Sequence, residues 1–313
     1  SNNTQDWSIS PRILTAEDYT ISIPDVEYVY KKAAHEPAVT ITTKDDVVVP
    51  NTEYTVTYKD NVYAGTATVS IKDKAGNYQL FESSKTFEIT PKELTVIWSV
   101  PDEFTYDGTE KFINATVSGI FTGDNINKNI LNNKATVTGS YSASVTIDND
   151  NYKLSDDAVK PWKINPKVLA ATDYEISLAN SSFTYDGTSH TPGVVISTKE
   201  GTTVPVTEYA VTYQDNKNAG TAKVIISDKT DGNYTIEEKS TTFSISQKRL
   251  AIVWSTPNDF EYNGAERSVT ATVSGTVQDD DIKMQITGNK ATNVGDYTAE
   301  VSISNDNYKL PSN

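Results

Sequence analysis

The chain of 313 residues contains no cysteine. No disulfide can staple its small domains, which must be held by core packing and by their neighbours. Histidine is almost as scarce, with only His35 and His190 present. A zinc site or a Ser-His-Asp triad requires more than these two residues supply. Basic charge is also short: 27 Lys and Arg stand against 42 Asp and Glu, a net charge of −15. That balance repels nucleic acid and anionic lipid and leaves no basic stripe to grip phosphates. No run approaches the roughly 18 apolar residues of a membrane span, and no signal peptide or sorting tail is recognisable. If the protein is exported, the chain is expected to be an interior piece of a longer one, with the opening Ser1-Asn2 a remnant of tag cleavage.

What is abundant points to strands. Thr, Val, Ile and Tyr crowd the sequence, while Met occurs once and Leu is sparse. The chain also repeats itself. Residues 11–74 match 166–229 without a gap, pairing Tyr30 with Tyr185, His35 with His190, and Ala64-Gly65-Thr66-Ala67 with the same four letters at 219–222. After one inserted residue near Asp231 the match resumes, and 91–157 maps onto 247–313. The order is A-B-A-B. All four units share a tyrosine with a turn, a glycine that opens an alternating strand, and an Asn-Tyr pair (Asn77-Tyr78, Asn151-Tyr152, Asn233-Tyr234, Asn307-Tyr308). The expected boundaries are 1–10, the closing strand of a preceding B repeat; 11–90, the first A repeat; 91–165, the first B repeat; 166–246, the second A repeat; and 247–313, a second B repeat without its closing strand.

Tyr141, Ala143, Val145 and Ile147 alternate with Ser142, Ser144 and Thr146, the period of a half-buried strand. Tyr297, Ala299, Val301 and Ile303 repeat the pattern. Asp107-Gly108, Asp186-Gly187 and Asn263-Gly264 predict hairpin turns with left-handed backbone. Lys31-Lys32 stands there in the first unit and predicts a longer or different turn, because lysine disfavours positive φ. The best short helical candidate is Asp124 to Leu131; its counterpart, Asp280 to Ile286, reads as a strand. The class is all-β.

Units meet without a Gly/Ser-rich or Pro-rich spacer, at Phe87-Glu-Ile-Thr-Pro-Lys, Trp162-Lys-Ile-Asn-Pro-Lys and Phe243-Ser-Ile-Ser-Gln-Lys. Such joints predict a semi-rigid rod, on the order of 120 Å long for four compact units. Asp6-Trp7-Ser-Ile-Ser-Pro-Arg aligns with Pro161-Trp162-Lys-Ile-Asn-Pro-Lys, whereas nothing after Asn313 matches Ala158 to Asn165. Strand exchange between copies through residues 6–10 would join these two features.

Tyr106-Asp-Gly-Thr, Ala115-Thr-Val-Ser-Gly, Gly139-Ser-Tyr-Ser-Ala and Asn151-Tyr-Lys-Leu together resemble the MBG-type repeats of large bacterial adhesins. The A units resemble related Ig-like repeats of Firmicutes surface proteins. The resemblance spans residues 7–313 and implies tandem small β-sandwich, Ig-like domains; helix-poor β-grasp-like units are the alternative. It implies an extracellular place on a bacterial, Gram-positive surface and a role as adhesin stalk or spacer. Direct adhesion to host glycan, mucin or matrix protein is the second reading. It supplies no catalytic residues, and no enzyme, cofactor or membrane insertion is expected.

Individual residues fit that picture. Asp279, Asp280 and Asp281 are the weak calcium candidates, but no EF-hand spacing surrounds them and the first B repeat has Gly123-Asp124-Asn125 there. Lys92, Lys167 and Lys248 recur at unit starts, with Glu53 and Glu208 as acids for an isopeptide bond; Arg12 in the first unit cannot make one. A salt bridge or a solvated stem is the preferred reading for these lysines. Trp7, Trp98, Trp162 and Trp254, with Gly108, Gly187 and Gly264, are assigned structural roles rather than a glycan-binding platform.

Overall fold

The computed structural model describes residues 3–312; Ser1 and Asn2, read above as a tag remnant, lie outside it. Regular structure among the described residues is strand, apart from single 3-10 turns at Asp156–Ala158 and Val206–Glu208. No helix among them is long and apolar enough to cross a membrane. The helical candidate from Asp124 to Leu131 is irregular backbone over 124–127 followed by the strand Lys128–Leu131, which pairs antiparallel with Gly139–Ile147. Its three asparagines are weak helix formers, and the neighbouring strand offers the backbone a ladder instead.

By compactness the chain forms two units. One holds the residues up to Phe104 together with Gly108–Ile164; the other holds Thr105–Asp107 and the residues from Asn165 on. In the first unit, the A repeat folds around Gly65–Asp73. That strand pairs with Tyr54–Lys59 on one side and Ser83–Thr90 on the other, and Tyr28–Val29 adds in parallel to the latter. The facing sheet sets Thr40–Thr43 between Tyr19–Ser22 and Val48–Val49. Alternation sends Ile21, Ile41 and Val49 inward from one sheet and Tyr54 and Ile71 from the other, into one buried cluster with Leu14 and Leu80.

The first B repeat is built alike. Val159–Asn165 lies between Glu103–Thr105 and Gly139–Ile147, with Lys128–Leu131 at the edge. Opposite, Lys92–Trp98 lies between Ala115–Ser118 and Tyr152–Leu154. Val96, Ala115 and Val145 meet between the two sheets. Two facing sheets without a covering helix make these units β-sandwiches rather than β-grasp domains.

In the second unit the A repeat has the same arrangement, around Ile196, Val204, Tyr209, Val224 and Ile226. Its B repeat differs: the strand matching Lys92–Trp98 is interrupted at Leu250, and the other sheet differs most. Glu300–Ser302 pairs only with Gln285–Thr287, and it is three residues long where its counterpart Gly139–Ile147 has nine. The alternating letters are the same, yet Tyr297 is exposed and Val301 alone is buried. A strand needs partners to persist, and nothing among the described residues lies where Val159–Asn165 lies in the first B repeat.

Two turn expectations are corrected. The Tyr-Asp-Gly turns are not hairpins. Ser182–Thr184, before one of them, runs parallel to Lys239–Ser246, and the chain then crosses to Val194–Thr198 in the opposite sheet. Gly108, Gly187 and Gly264 are left-handed, with φ of 82°, 82° and 78°, but the preceding residue is not, whereas a type I′ hairpin needs both. Nor does Lys32 force a different turn. It takes the same left-handed place at φ 60°, and its side chain shows why.

Candidate functional site at the repeat junctions

Within each unit the last strand of the A repeat passes almost directly into the first strand of the B repeat. Ser83–Thr90 and Lys92–Trp98 are separated by Pro91 alone, and Lys239–Ser246 and Lys248–Arg249 by Gln247 alone. This brings three recurring letters together: the tyrosine before the turn, the Ala-Gly pair, and the Asn-Tyr pair of the following repeat.

In the first unit Tyr30 and Tyr152, both buried, meet edge to face with ring centres 5.4 Å apart. Their hydroxyls donate to the same oxygen of Asp124, at 2.9 Å from Tyr30 and 2.6 Å from Tyr152. The Tyr152 hydroxyl also accepts the Phe121 amide at 3.0 Å, so its donor and acceptor are both used. Beside it, Asn151 Oδ1 accepts the amide of Ala64 at 2.9 Å, which ties the Asn-Tyr pair to the Ala-Gly pair. Tyr30, Phe87 and Ile89 of the A repeat and Leu94 and Tyr152 of the B repeat form a single buried cluster.

The second unit repeats the contact set. Tyr185 and Tyr308 meet at 5.4 Å, Tyr185 donates to Asp280 at 2.8 Å, and Tyr308 donates to the same oxygen. Val277 N donates to the Tyr308 hydroxyl at 2.8 Å, and Ala219 N donates to Asn307 Oδ1 at 2.8 Å. Tyr106, which belongs to this unit, meets Tyr234 edge on at 5.5 Å.

Electrostatics follow from the geometry. Burial, and then the carboxylate that accepts each hydroxyl, push Tyr30 and Tyr185 up to about 12. The Lys32 ammonium and the tyrosine hydroxyls hold Asp124 down at about 2. Asp280 is likewise lowered, first by Tyr308 and Tyr185 and then by the fields of Lys217 and Lys248. The cation therefore differs between the units. In the first, Lys32 Nζ lies 2.8 Å from Asp124 and 2.6 Å from the Thr122 carbonyl. A left-handed lysine costs roughly 1–2 kcal/mol, which the ion pair to Asp124 and the bond to Thr122 offset. In the second unit the same position is Gly187, where an added Cβ would lie 2.7 Å from Val277 Cγ1.

The calcium candidates have separate tasks. Asp279 is the left-handed residue of its turn, at φ 68°, where the first B repeat uses Gly123 at φ 85°. Asp280 is the junction acid, and Asp281 accepts the Lys283 amide at 2.8 Å. Among the described residues no three carboxylate or imidazole groups gather as a cation would require. Reading the run as three alike acids hid the signal, which was the one Asp present in both B repeats.

The other singled-out residues fall elsewhere. His35 is buried and donates to the Val29 carbonyl at 2.9 Å, and His190 stacks on Phe183 at 4.4 Å. Glu53 and Glu208 are buried acceptors for the loops at Asn77 and Asn233. Lys92 donates to the Gly119 carbonyl at 2.6 Å and lies over the Phe121 ring, while Arg12 pairs with Asp45 at 2.8 Å. Trp162 is buried; Trp98 is half-buried and donates to the Asp157 carbonyl at 2.7 Å. Trp254 is 37% exposed and Trp7 is 80% exposed.

No family model and no curated protein matches the chain. The likeness to MBG-type repeats therefore rests on the motifs alone. Among solved structures the chain is similar to invasin, a bacterial integrin-binding protein. Identity is 11%, with 93% of this chain and 77% of that chain covered, and the TM-score is 0.31. At that level the likeness assigns neither family nor function.

Proposed function

We propose that this chain is a non-catalytic spacer in a bacterial cell-surface adhesin, placed outside the cell, whose repeats hold a binding region at a distance. The observation that supports this reading is the A–B junction, with its shared acid, its paired tyrosines and its one-residue connection. Such a joint suppresses bending inside each pair of repeats. It uses the recurring tyrosines, the recurring Asp and the Asn-Tyr pair for cohesion between neighbouring repeats.

The test is recognition. The 313-residue chain is applied to a glycan array and to mucin- and matrix-coated surfaces. A spacer gives no saturable binding. Saturable binding by the chain would replace this reading with direct adhesion to host glycan, mucin or matrix protein.

A further inference from the structure

We infer that the edge strands Tyr54–Lys59 and Tyr209–Gln214 of the two A repeats pair antiparallel with the same strands of a second copy of this chain. The inference holds whether the chain is a spacer or a binding module. Each strand has a partner on one side only, Gly65–Asp73 in the first A repeat and Gly220–Asp228 in the second. At six residues they are the longest edge strands among the described residues. Proteins shield such edges with short strands, charged side chains, proline or a bulge. Other edges here follow that rule. Tyr28–Val29 and Val48–Val49 have two residues, Tyr174–Leu178 carries Glu175, and Lys128–Leu131 opens with lysine. Tyr209–Gln214 has no charge at all, and Tyr54–Lys59 has one only at its last residue.

The phase of the ladder fixes which backbone groups face outward. Lys74 N donates to Glu53 O at 3.0 Å, one step before the pairing of Tyr54 with Asp73. Antiparallel bonding alternates residue by residue. Thr55, Thr57 and Lys59 therefore bond to Gly65–Asp73, while the N–H and C=O of Tyr54, Val56 and Tyr58 point away from it. The side chains of these three pack inward. The Tyr54 and Tyr58 hydroxyls donate to the Val39 and Pro37 carbonyls at 3.1 and 2.6 Å. Tyr209 and Tyr213 are fixed in the same way on Val194 and Pro192. The edge is thus held in strand geometry before a partner arrives, which lowers the cost of pairing.

Self-complementarity identifies the partner. Tyr54-Thr55-Val56-Thr57-Tyr58 reads the same in both directions. A twofold axis at Val56 sets Tyr54 opposite Tyr58, Thr55 opposite Thr57 and Val56 opposite Val56 of the second copy. Every outward N–H then meets an outward C=O. The exposed threonines pair across the join. Tyr209-Ala210-Val211-Thr212-Tyr213 differs at one letter and keeps the register, with Tyr209 opposite Asp228 as Tyr54 is opposite Asp73. Each chain therefore carries two such edges, and pairing at one leaves the other free for a further copy.

The experiment combines analytical ultracentrifugation of the full chain, from micromolar to near-millimolar concentration, with site-resolved hydrogen exchange. The expected result is a mass that rises with concentration, and exchange at the Val56 and Val211 amides that slows over the same range. Thr55→Lys, Thr57→Lys, Ala210→Lys and Thr212→Lys together, all at exposed positions, set like charges opposite one another across the join and should abolish both effects. Thr55→Glu and Ala210→Glu combined with Thr57→Lys and Thr212→Lys set opposite charges there and should keep both. A mass that stays monomeric throughout overturns the second-copy partner. A rise unchanged in the all-lysine variant, or exchange at Val56 and Val211 that ignores concentration, overturns the edge. Loss of association in both variants overturns the register.

Discussion

Tyr30 of the first A repeat and Tyr152 of the following B repeat donate to the same carboxylate oxygen of Asp124, at 2.9 and 2.6 Å. Tyr30→Phe removes one donor and keeps the ring. A buried hydrogen bond to a charged acceptor is worth about 1.5–3 kcal/mol, and Asp124 retains two other partners. A loss near 1.5 kcal/mol is therefore expected, read as a lower denaturant midpoint at unchanged slope. Asp124→Ala should cost more, because both hydroxyls then lie buried without an acceptor.

Acid should loosen this junction in a defined window. The ordinary aspartate value of 3.8 falls to about 2 at Asp124. A carboxylate lowered on folding contributes stability above its unfolded value, and that contribution disappears as pH falls through the folded one. Hydrogen exchange at Ala64, Phe121 and Tyr152 should be insensitive to this group above pH 3.8 and should quicken between the two values. Tyr30 and Tyr185, raised from 10.0 to about 12, carry the opposite sign. Their contribution is complete below 10.0 and is lost as pH rises toward 12.

Glycine at the turn is needed to different degrees. A Cβ at Gly108 meets nothing within 4 Å, so Gly108→Ala bears only the left-handed backbone cost of roughly 1–2 kcal/mol. At Gly187 the same atom would press on Val277, so Gly187→Ala should cost a further ~1–3 kcal/mol. Lys32→Gly relieves backbone strain and removes an ion pair whose side chains are 42% and 12% exposed. Its net effect should be small and should shift in favour of glycine as salt is added. Thermal melts of the three variants at low and high salt read these orders directly.

Trp162→Ala empties a buried slot between Tyr141 and Phe104 and should cost about 3–5 kcal/mol. Site-resolved exchange should show the loss in Gly139–Ile147 and leave the second A repeat unchanged. Trp7→Ala, at an exposed position, should leave the melting of dilute chain as it is.

The sequence made the strands after Gly65, Gly139 and Gly220 legible, because alternation over eight or nine residues has only one structural reading. The repeat order was legible for the same reason, as identical letters at a fixed offset. Three features were not. Asp107-Gly108 carries a strong local hairpin signal, but the strand before it finds its partner some sixty residues away, and pairing of that kind leaves no short-range mark. Backbone preference alone argues against a left-handed Lys32, because the acid that offsets its cost, Asp124, lies in another repeat. Asp280 was hidden in an acidic run whose three members turned out to have three tasks. Letters that recur were readable; contacts between distant letters were not.

The one-residue joints have a mechanical consequence. The acid and the ring that cover Tyr30 are supplied by the next repeat along the chain, so the end of an A repeat is finished by its successor. Pulled from its ends, such a pair should resist as one cooperative body. Its force–extension trace should yield in a single long step per A–B pair rather than two short ones. A single Asp in each pair would then set how load is shared along the chain.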